Sequence, residues 1–442
     1  MKTRLPQLLL AILLSCTAVQ AGSVADYPEI SSGSIVFSER NKTGDITPYL
    51  KRAVAEDGTV TYTGYRHANG TSYPDILNAT VDIEGADFYV ASGSSAYGTG
   101  AVYFTNTNIS ADDIYFTGST KLRNYQNTSA DTGTTVTAKN ITMSDSANTQ
   151  VASGSYGTIK LVAEDKVVVK DTARLNKAEV EAETISLEST SSSAVYQSSL
   201  TADTVQLNGS SVEIGGSQKA VINAKQIEVN SGTLTVAEDA ELTTNSITLN
   251  GGKLVNNGNI GGVVSLAEGA EGNVITITDG ELVNSGAIDS TINMTGGTLV
   301  AEAGSAIAGI NATGGDIQVD GNFSMTGDLV LEGDAELIFA DADYTIDLGE
   351  YDVEFSGNSS IALTLADADI ANVVLFTGAK EDRYSGYEVT LLDAEGNSTG
   401  TAVMKYNANG DVTLGTAAVP EPTTATLSLL ALAALATRRR RR

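Results

Sequence analysis

Gln226-Ile-Glu-Val-Asn-Ser-Gly-Thr-Leu-Thr-Val236, Ser246-Ile-Thr-Leu-Asn-Gly-Gly-Lys-Leu-Val-Asn256 and Val274-Ile-Thr-Ile-Thr-Asp-Gly-Glu-Leu-Val-Asn284 are three versions of one pattern. Each opens on two apolar residues separated by a polar one, passes through Asn or Thr and a Gly, and returns to Leu. Alternation of this kind places Ile227/Val229, Ile247/Leu249 and Ile275/Ile277 on one face of a strand, with Glu228, Thr248 and Thr276 on the other. The same unit extends in both directions. Its first apolar position falls at Val205, Ile227, Ile247, Ile275, Ile292 and Ile310, and its second at Val212, Leu234, Leu254, Leu282, Leu299 and Ile317. Successive steps are identical in the two series, so the offset between them stays at seven.

A fixed strand-turn-strand spacing joined by variable spacers describes units that stack on themselves while the rest of each coil tolerates insertions. The extra residues between Asn256 and Gly272 fall in that tolerant limb. Asn208, Asn230, Asn250, Thr278, Thr295 and Thr313 recur three places after the first apolar residue, where they can bond the equivalent residue of the next coil. Ser210, Gly232, Gly252, Gly280, Gly297 and Gly315 recur two places later, at a corner where Gly accepts positive φ. Weaker copies run back through Thr184-Ile-Ser-Leu187, Lys166-Val-Val-Val169 and Asn140-Ile-Thr-Met143. The fold class expected is all-β, a parallel β-helix or β-solenoid with coils of about 20 residues and β-rich caps. If about 12 to 15 coils stack at roughly 4.8 Å each, the body is about 60 to 70 Å long and presents flat faces rather than a deep pocket.

Composition agrees. Of 442 residues 44 are Gly, only 6 are Pro and none is Trp, which suits short strands joined by tight turns. The formal charge of −28 understates the acidity of the body. Without Lys2, Arg4, Glu421 and the five terminal arginines, 19 basic residues face 53 acidic ones, a balance of −34. Such a surface repels phosphate backbones, so nucleic acid is excluded as a partner, while cations, cationic partners and neutral glycans remain. One cysteine, Cys16, and one histidine, His67, leave no disulfide framework and no Cys- or His-based metal cluster.

Five segments follow. Residues 1–21 read as a signal peptide: a basic start at Lys2 and Arg4, an apolar stretch from Leu5 to Ser15, and Val19-Gln-Ala21 as the cleavage site for signal peptidase, after Ala21. A rival cut before Cys16 resembles a lipobox. Residues 22–130, with 10 of the 17 tyrosines, form an aromatic N-terminal cap and the first coils. Residues 131–335 are the repetitive solenoid, and 336–418 a β-rich C-terminal cap. Caps are needed because an uncovered end coil exposes core and unpaired strand edges.

Residues 419–442 read Val-Pro420-Glu421-Pro422, an apolar stretch over 423–437, then Arg438, Arg439, Arg440, Arg441 and Arg442. Arginines directly after an apolar segment stay on the cytoplasmic side, leaving the body outside. The segment is a short transmembrane helix, brief for a stable span, and so fits a transient hold in the inner membrane. This arrangement resembles the PEP-CTERM sorting signal. The resemblance runs from Val419 to Arg442 and implies recognition and cleavage by an exosortase-type sorting enzyme, and placement in the cell envelope. The body is similar in pattern to autotransporter-passenger and adhesin-type β-helices.

Candidate chemistry is sparse. His67 sits in Arg66-His-Ala-Asn-Gly70 with no Ser and Asp at usable spacing. Carboxylate pairs stand at Asp112/Asp113, Asp341/Asp343, Asp367/Asp369 and Glu381/Asp382, and Arg383 beside the last pair comes nearest to the acid-plus-base arrangement of β-helix polysaccharide lyases. Neither an EF-hand loop nor the calcium-binding nonapeptide occurs. No catalytic, cofactor or metal residue is therefore assigned. The expected function is that of a non-enzymatic, exported surface or extracellular-matrix protein, adhesin-like, with exopolysaccharide or other envelope glycans as candidate ligands; the alternative is a polysaccharide-active lyase or hydrolase.

Overall fold

The computed structural model describes residues 107–124, 133–151, 158–261, 274–349, 351–365 and 370–416, together with strands between 35 and 105. These residues are all-β, with no α-helix among them and one 3-10 turn at Ile370–Asn372. The expected signal peptide with Ala21, the rival site at Cys16, His67 and the whole 423–437 segment lie outside the described residues. Among the described residues no helix is long and apolar enough to cross a membrane. The chain divides into two compact units, Met1–Gly297 and Thr298–Arg442.

In the first unit the repeated motifs meet one another. Val205 pairs with Ile227, Ile227 with Ile247 and Ile247 with Ile275, all in parallel strands and in register. The second series pairs in the same way, Val212 with Leu234, Leu234 with Leu254 and Leu254 with Leu282. The column continues toward the N-terminus through Ile185, Val167, Ile141, Ile114 and Phe88. These side chains are at most 1% exposed. Burial of each contributes roughly 1.5–3 kcal/mol, and a single column of this kind supplies much of the driving force for stacking.

The spacing between paired segments is not uniform. Phe88, Ile114, Ile141 and Val167 stand further apart in the chain than do Val167, Ile185, Val205, Ile227 and Ile247, although all are neighbours in the column. Spacings of 18 to 22 residues run from Val167 to Ile247, while Ile247 and Ile275 stand 28 apart. The wider spacings before Val167 accommodate an additional strand: Tyr103–Thr105, Lys121–Asn124 and Asn148–Val151 form a parallel sheet of their own. The interior there is also more aromatic, with Phe88, Phe104 and Phe116 buried and meeting edge-on at 6.1 and 6.0 Å between centroids. Edge-to-face packing is the favoured geometry for stacked rings of this type.

Antiparallel pairing marks the start of the chain. Ile35–Phe37 runs antiparallel to Ala79–Ile83, and Tyr49–Val54 antiparallel to Val60–Tyr65, whose other side meets Asp87–Ala91 in parallel. Hairpin strands of this sort occupy backbone groups that an end coil would otherwise leave unpaired.

In the second unit parallel pairing runs on across 335–336. Ile310 pairs with Leu329 and Leu329 with Val353, while Ile317 pairs with Leu337 and Leu337 with Ile361. Here the offset between the two columns grows from seven to eight, at Leu329/Leu337 and Val353/Ile361. Gly333 and Gly357, both with positive φ, sit at the enlarged corner, where Asn358 Nδ2 donates to Asp334 Oδ1 (3.1 Å). The last strands, Val374–Thr377, Glu388–Leu392, Ser398–Tyr406 and Val412–Thr416, pair antiparallel. Phe339, Phe376 and Tyr384 fill the interior below them, and the Tyr384 hydroxyl accepts the Val353 N–H at 3.3 Å.

Candidate functional site

The sorting residues Pro420, Glu421, Pro422 and Arg438 to Arg442 lie outside the described residues. The last described strand ends at Thr416, shortly before them, and is paired with Ser398–Tyr406. The motif stands shortly beyond that strand in the sequence.

The amide positions form a continuous chain of hydrogen bonds. Asn208 Nδ2 donates to Ser186 Oγ (3.0 Å), Asn230 Nδ2 to Asn208 Oδ1 (2.9 Å) and Asn250 Nδ2 to Asn230 Oδ1 (2.8 Å). Thr278 Oγ1 completes it by donating to Asn250 Oδ1 at 2.9 Å. Each amide can give and accept along the stacking direction, which only an in-register arrangement permits. A second ladder runs at another corner, where Asp145 and Asp171 adopt positive φ. Asp145 Oδ2 accepts from Gly118 N (2.8 Å) and Asp171 Oδ2 from Asp145 N (3.2 Å). These polar columns link successive paired segments; the amides bond one another and the corner carboxylates bond backbone.

The carboxylate pairs resolve into similar structural uses. Asp343 N donates to Asp341 Oδ1 within a turn (3.0 Å). Asp382 is held below the usual carboxylate range by hydrogen bonds from Ser385, whose N–H lies 3.1 Å from Oδ1. Asp367 and Asp369 lie outside the described residues. Arg383 faces three carboxylates rather than the two that adjoin it in sequence: Asp352 at 3.7 Å, Glu354 at 3.7 Å and Glu381 at 3.4 Å. Asp352 above all raises the proton affinity of the guanidinium. The arrangement clips the strand Val353–Phe355 to the loop before Tyr384. Among the described residues no group of three or more Asp, Glu, His or Cys is placed to hold a metal ion.

Asp112/Asp113 has a different neighbour. Phe88 and Ile114 are in register, so Asp87 and Asp113, one residue before each, stack on adjacent coils. Burial, then the charge of Asp113, pushes the Asp87 carboxyl up. One coil further on, the equivalent Asn140 donates Nδ2 to Asp113 Oδ1 at 2.9 Å. A raised folded-state pKa means that the ionised form opposes folding, a cost that is present above that pKa and fades as pH falls through it. Asp87→Asn is thus expected to stabilise the protein near neutral pH by up to about 1 kcal/mol, the scale of a partly exposed charge pair. Urea denaturation should show the gain at neutral pH and none in acid below the carboxylate range.

The additional sheet of the long coils brings together residues that no local pattern links. Lys121 pairs with Asn148, Arg123 with Gln150, Asn148 with Arg174 and Asn176 with Tyr196. Lys121, Asn148, Thr149, Gln150, Arg174 and Asn176 line a shallow, open concavity. Its members stand a whole coil apart in the chain, which conceals the cluster in the sequence.

Comparison with known families finds one match, the PEP-CTERM protein-sorting motif, over residues 418–442. That motif supports sorting to the cell surface through an exosortase-type enzyme and bears on the tail alone. No curated protein and no solved structure matches the chain.

Proposed function

We propose that this sorted chain is a non-enzymatic structural or adhesin-like component of the cell surface or extracellular matrix, with a parallel β-solenoid as its body. The sorting motif at 418–442 carries the reading, because it supplies a destination outside the cell for a body whose polar columns are occupied in holding coils together. In-register parallel pairing from Phe88 to Ile275 supports the solenoid. Arg383, the cation nearest to a lyase arrangement, is taken up by three carboxylates, which favours a scaffold over an enzyme.

The signal peptide directs export and is removed by signal peptidase after Ala21. The 423–437 segment holds the body at the inner membrane with Arg438 to Arg442 inside, until the exosortase-type enzyme cuts near Pro420-Glu421-Pro422. Cell fractionation with intact-mass measurement tests this. The expected species lacks both ends and resides at the cell surface or in the matrix, and a Pro420→Ala/Pro422→Ala variant, shortened only at its N-terminus, keeps its C-terminal segment and stays in the inner membrane. Recovery of the native protein from the cytoplasm with both ends intact would refute it.

A further inference from the structure

The chain has 54 acidic and 26 basic residues, yet charge is not evenly spread over its faces. Segments 121–124 and 148–151 lie side by side in the additional sheet, a single bridge joins Asn148 to Arg174, and Leu175–Asn176 pairs with Val195–Tyr196 next to it. The four segments 121–124, 148–151, 174–177 and 194–198 read Lys-Leu-Arg-Asn, Asn-Thr-Gln-Val, Arg-Leu-Asn-Lys and Ala-Val-Tyr-Gln-Ser, with four cations and not one acid. Beyond the strip, Glu213 accepts from Ser217 and Gln218. The nearest corner acids, Asp145 and Asp171, each direct a carboxylate oxygen to a backbone N–H of the preceding coil.

We propose that this strip binds an acidic polysaccharide, a glycan chain bearing carboxylates and hydroxyls together. The proposal deepens the surface-protein reading above and rests on it for the place where such a glycan is met. Three features choose this occupant. Lys121 and Arg123 stand on one strand, and Arg174 and Lys177 on a segment two pairings away, about 10 Å across the strands, so positive charge flanks the polar strand between them at a separation suited to carboxylates along a polymer. Asn148 and Gln150 stand between those cations, and Asn176 Oδ1 is buried in the same concavity without a hydrogen-bond partner. An orphaned acceptor calls for a donor, which a sugar hydroxyl provides and a phosphate diester does not. The concavity, about 170 Å³, is below the range of roughly 300 Å³ and upward that encloses whole small ligands. It suits one sugar unit of a chain lying across the open face.

The remainder of the surface carries the acidic excess and repels a polyanion, so binding should be confined to the strip and weakened by salt. Affinity electrophoresis of the purified full chain in gels containing polygalacturonate tests the idea, with neutral dextran, duplex DNA and anionic phospholipid vesicles compared. The expected result is retardation by polygalacturonate alone, lost as salt rises to about 0.3 M. Lys121→Gln/Arg174→Gln/Lys177→Gln should weaken it about tenfold, as the loss of three partly exposed charge contacts implies. Arg174→Gln alone, at an exposed position, should weaken it detectably with unfolding unchanged, and Lys225→Gln, outside the strip and paired with Asp203, should have no effect. Absence of polygalacturonate binding, binding indifferent to the triple substitution, or equal retardation by DNA or capture by vesicles would each overturn the proposal. None of these would alter the fractionation result that tests surface sorting.

Discussion

Ile247→Asp should abolish cooperative folding of the central coils. Ile247 is 1% exposed and sits in register between Ile227 and Ile275, themselves at most 1% exposed. A carboxylate there has apolar neighbours on the coil before and the coil after, and no cation is available within the column. Burying it ionised, or forcing its protonation, adds several kcal/mol to the loss of apolar contact, so the total exceeds about 4 kcal/mol. Stacked coils draw stability from their nearest neighbours, and the defect therefore weakens both interfaces of its coil. Ile247→Val, which removes only a methylene, should cost about 0.5–1.5 kcal/mol. Urea denaturation of the two variants gives the comparison, and hydrogen exchange should show protection lost first around residues 246–284 in the Asp variant.

Gly280→Val should be the next most damaging change. Gly280 has φ of 91°, and a Cβ there would fall onto the carbonyl oxygen of Gly252 on the preceding coil. Two costs combine: a left-handed backbone that branched residues avoid, about 1–3 kcal/mol, and displacement of a coil whose backbone is fixed by the ladder. The sum is about 3 kcal/mol or more. Gly304 separates them, since its φ is 81° but nothing lies within 4 Å of an added Cβ. Gly304→Ala should cost only the backbone part, about 1 kcal/mol. A thermal-melting series across Gly280→Val, Gly280→Ala and Gly304→Ala checks that ordering.

The columns from Val205 to Ile275 could be read directly from sequence because both of their signals are local. Alternation marks the buried face, and the constant offset of seven marks the corner. The corner itself was legible only in part. Gly232, Gly280, Gly297 and Gly315 take positive φ as expected, but in two coils the bend falls one residue earlier, at Gly209 and Gly251. Ser210 cannot adopt that conformation cheaply and instead buries its hydroxyl against the Ser189 carbonyl, at 2.8 Å. Gly252 is required for closeness rather than conformation, since a Cβ there would strike Val229.

Past Ile317 the offset of eight breaks the sequence rule while the structure keeps the pairing, which is why Leu329, Leu337, Val353 and Ile361 do not stand out as members of the same columns. A one-residue change in a corner is invisible to the strand pattern yet shifts every later position. The cationic strip escaped for the opposite reason. Lys121 and Arg123 stand far from Arg174 and Lys177 in the sequence, and only the pairing of each group with the 148–151 strand brings them near one another. The tail was legible as a motif because its information is compositional, a Pro-Glu-Pro, an apolar run and arginines, and needs no tertiary context.

Cysteine cross-linking offers the most direct test of in-register parallel stacking. Thr248 and Thr276 are outward-facing partners on adjacent coils. Their Cα atoms should lie about 4.8 Å apart, within the roughly 4.4–6.8 Å that a disulfide spans. In a background with Cys16 replaced by Ser, Thr248→Cys with Thr276→Cys should close readily under mild oxidation. Thr248→Cys with Glu281→Cys, displaced along the coil, should remain reduced. Rapid closure of the displaced pair, or failure of the in-register pair in folded protein, would contradict the stacked-coil account.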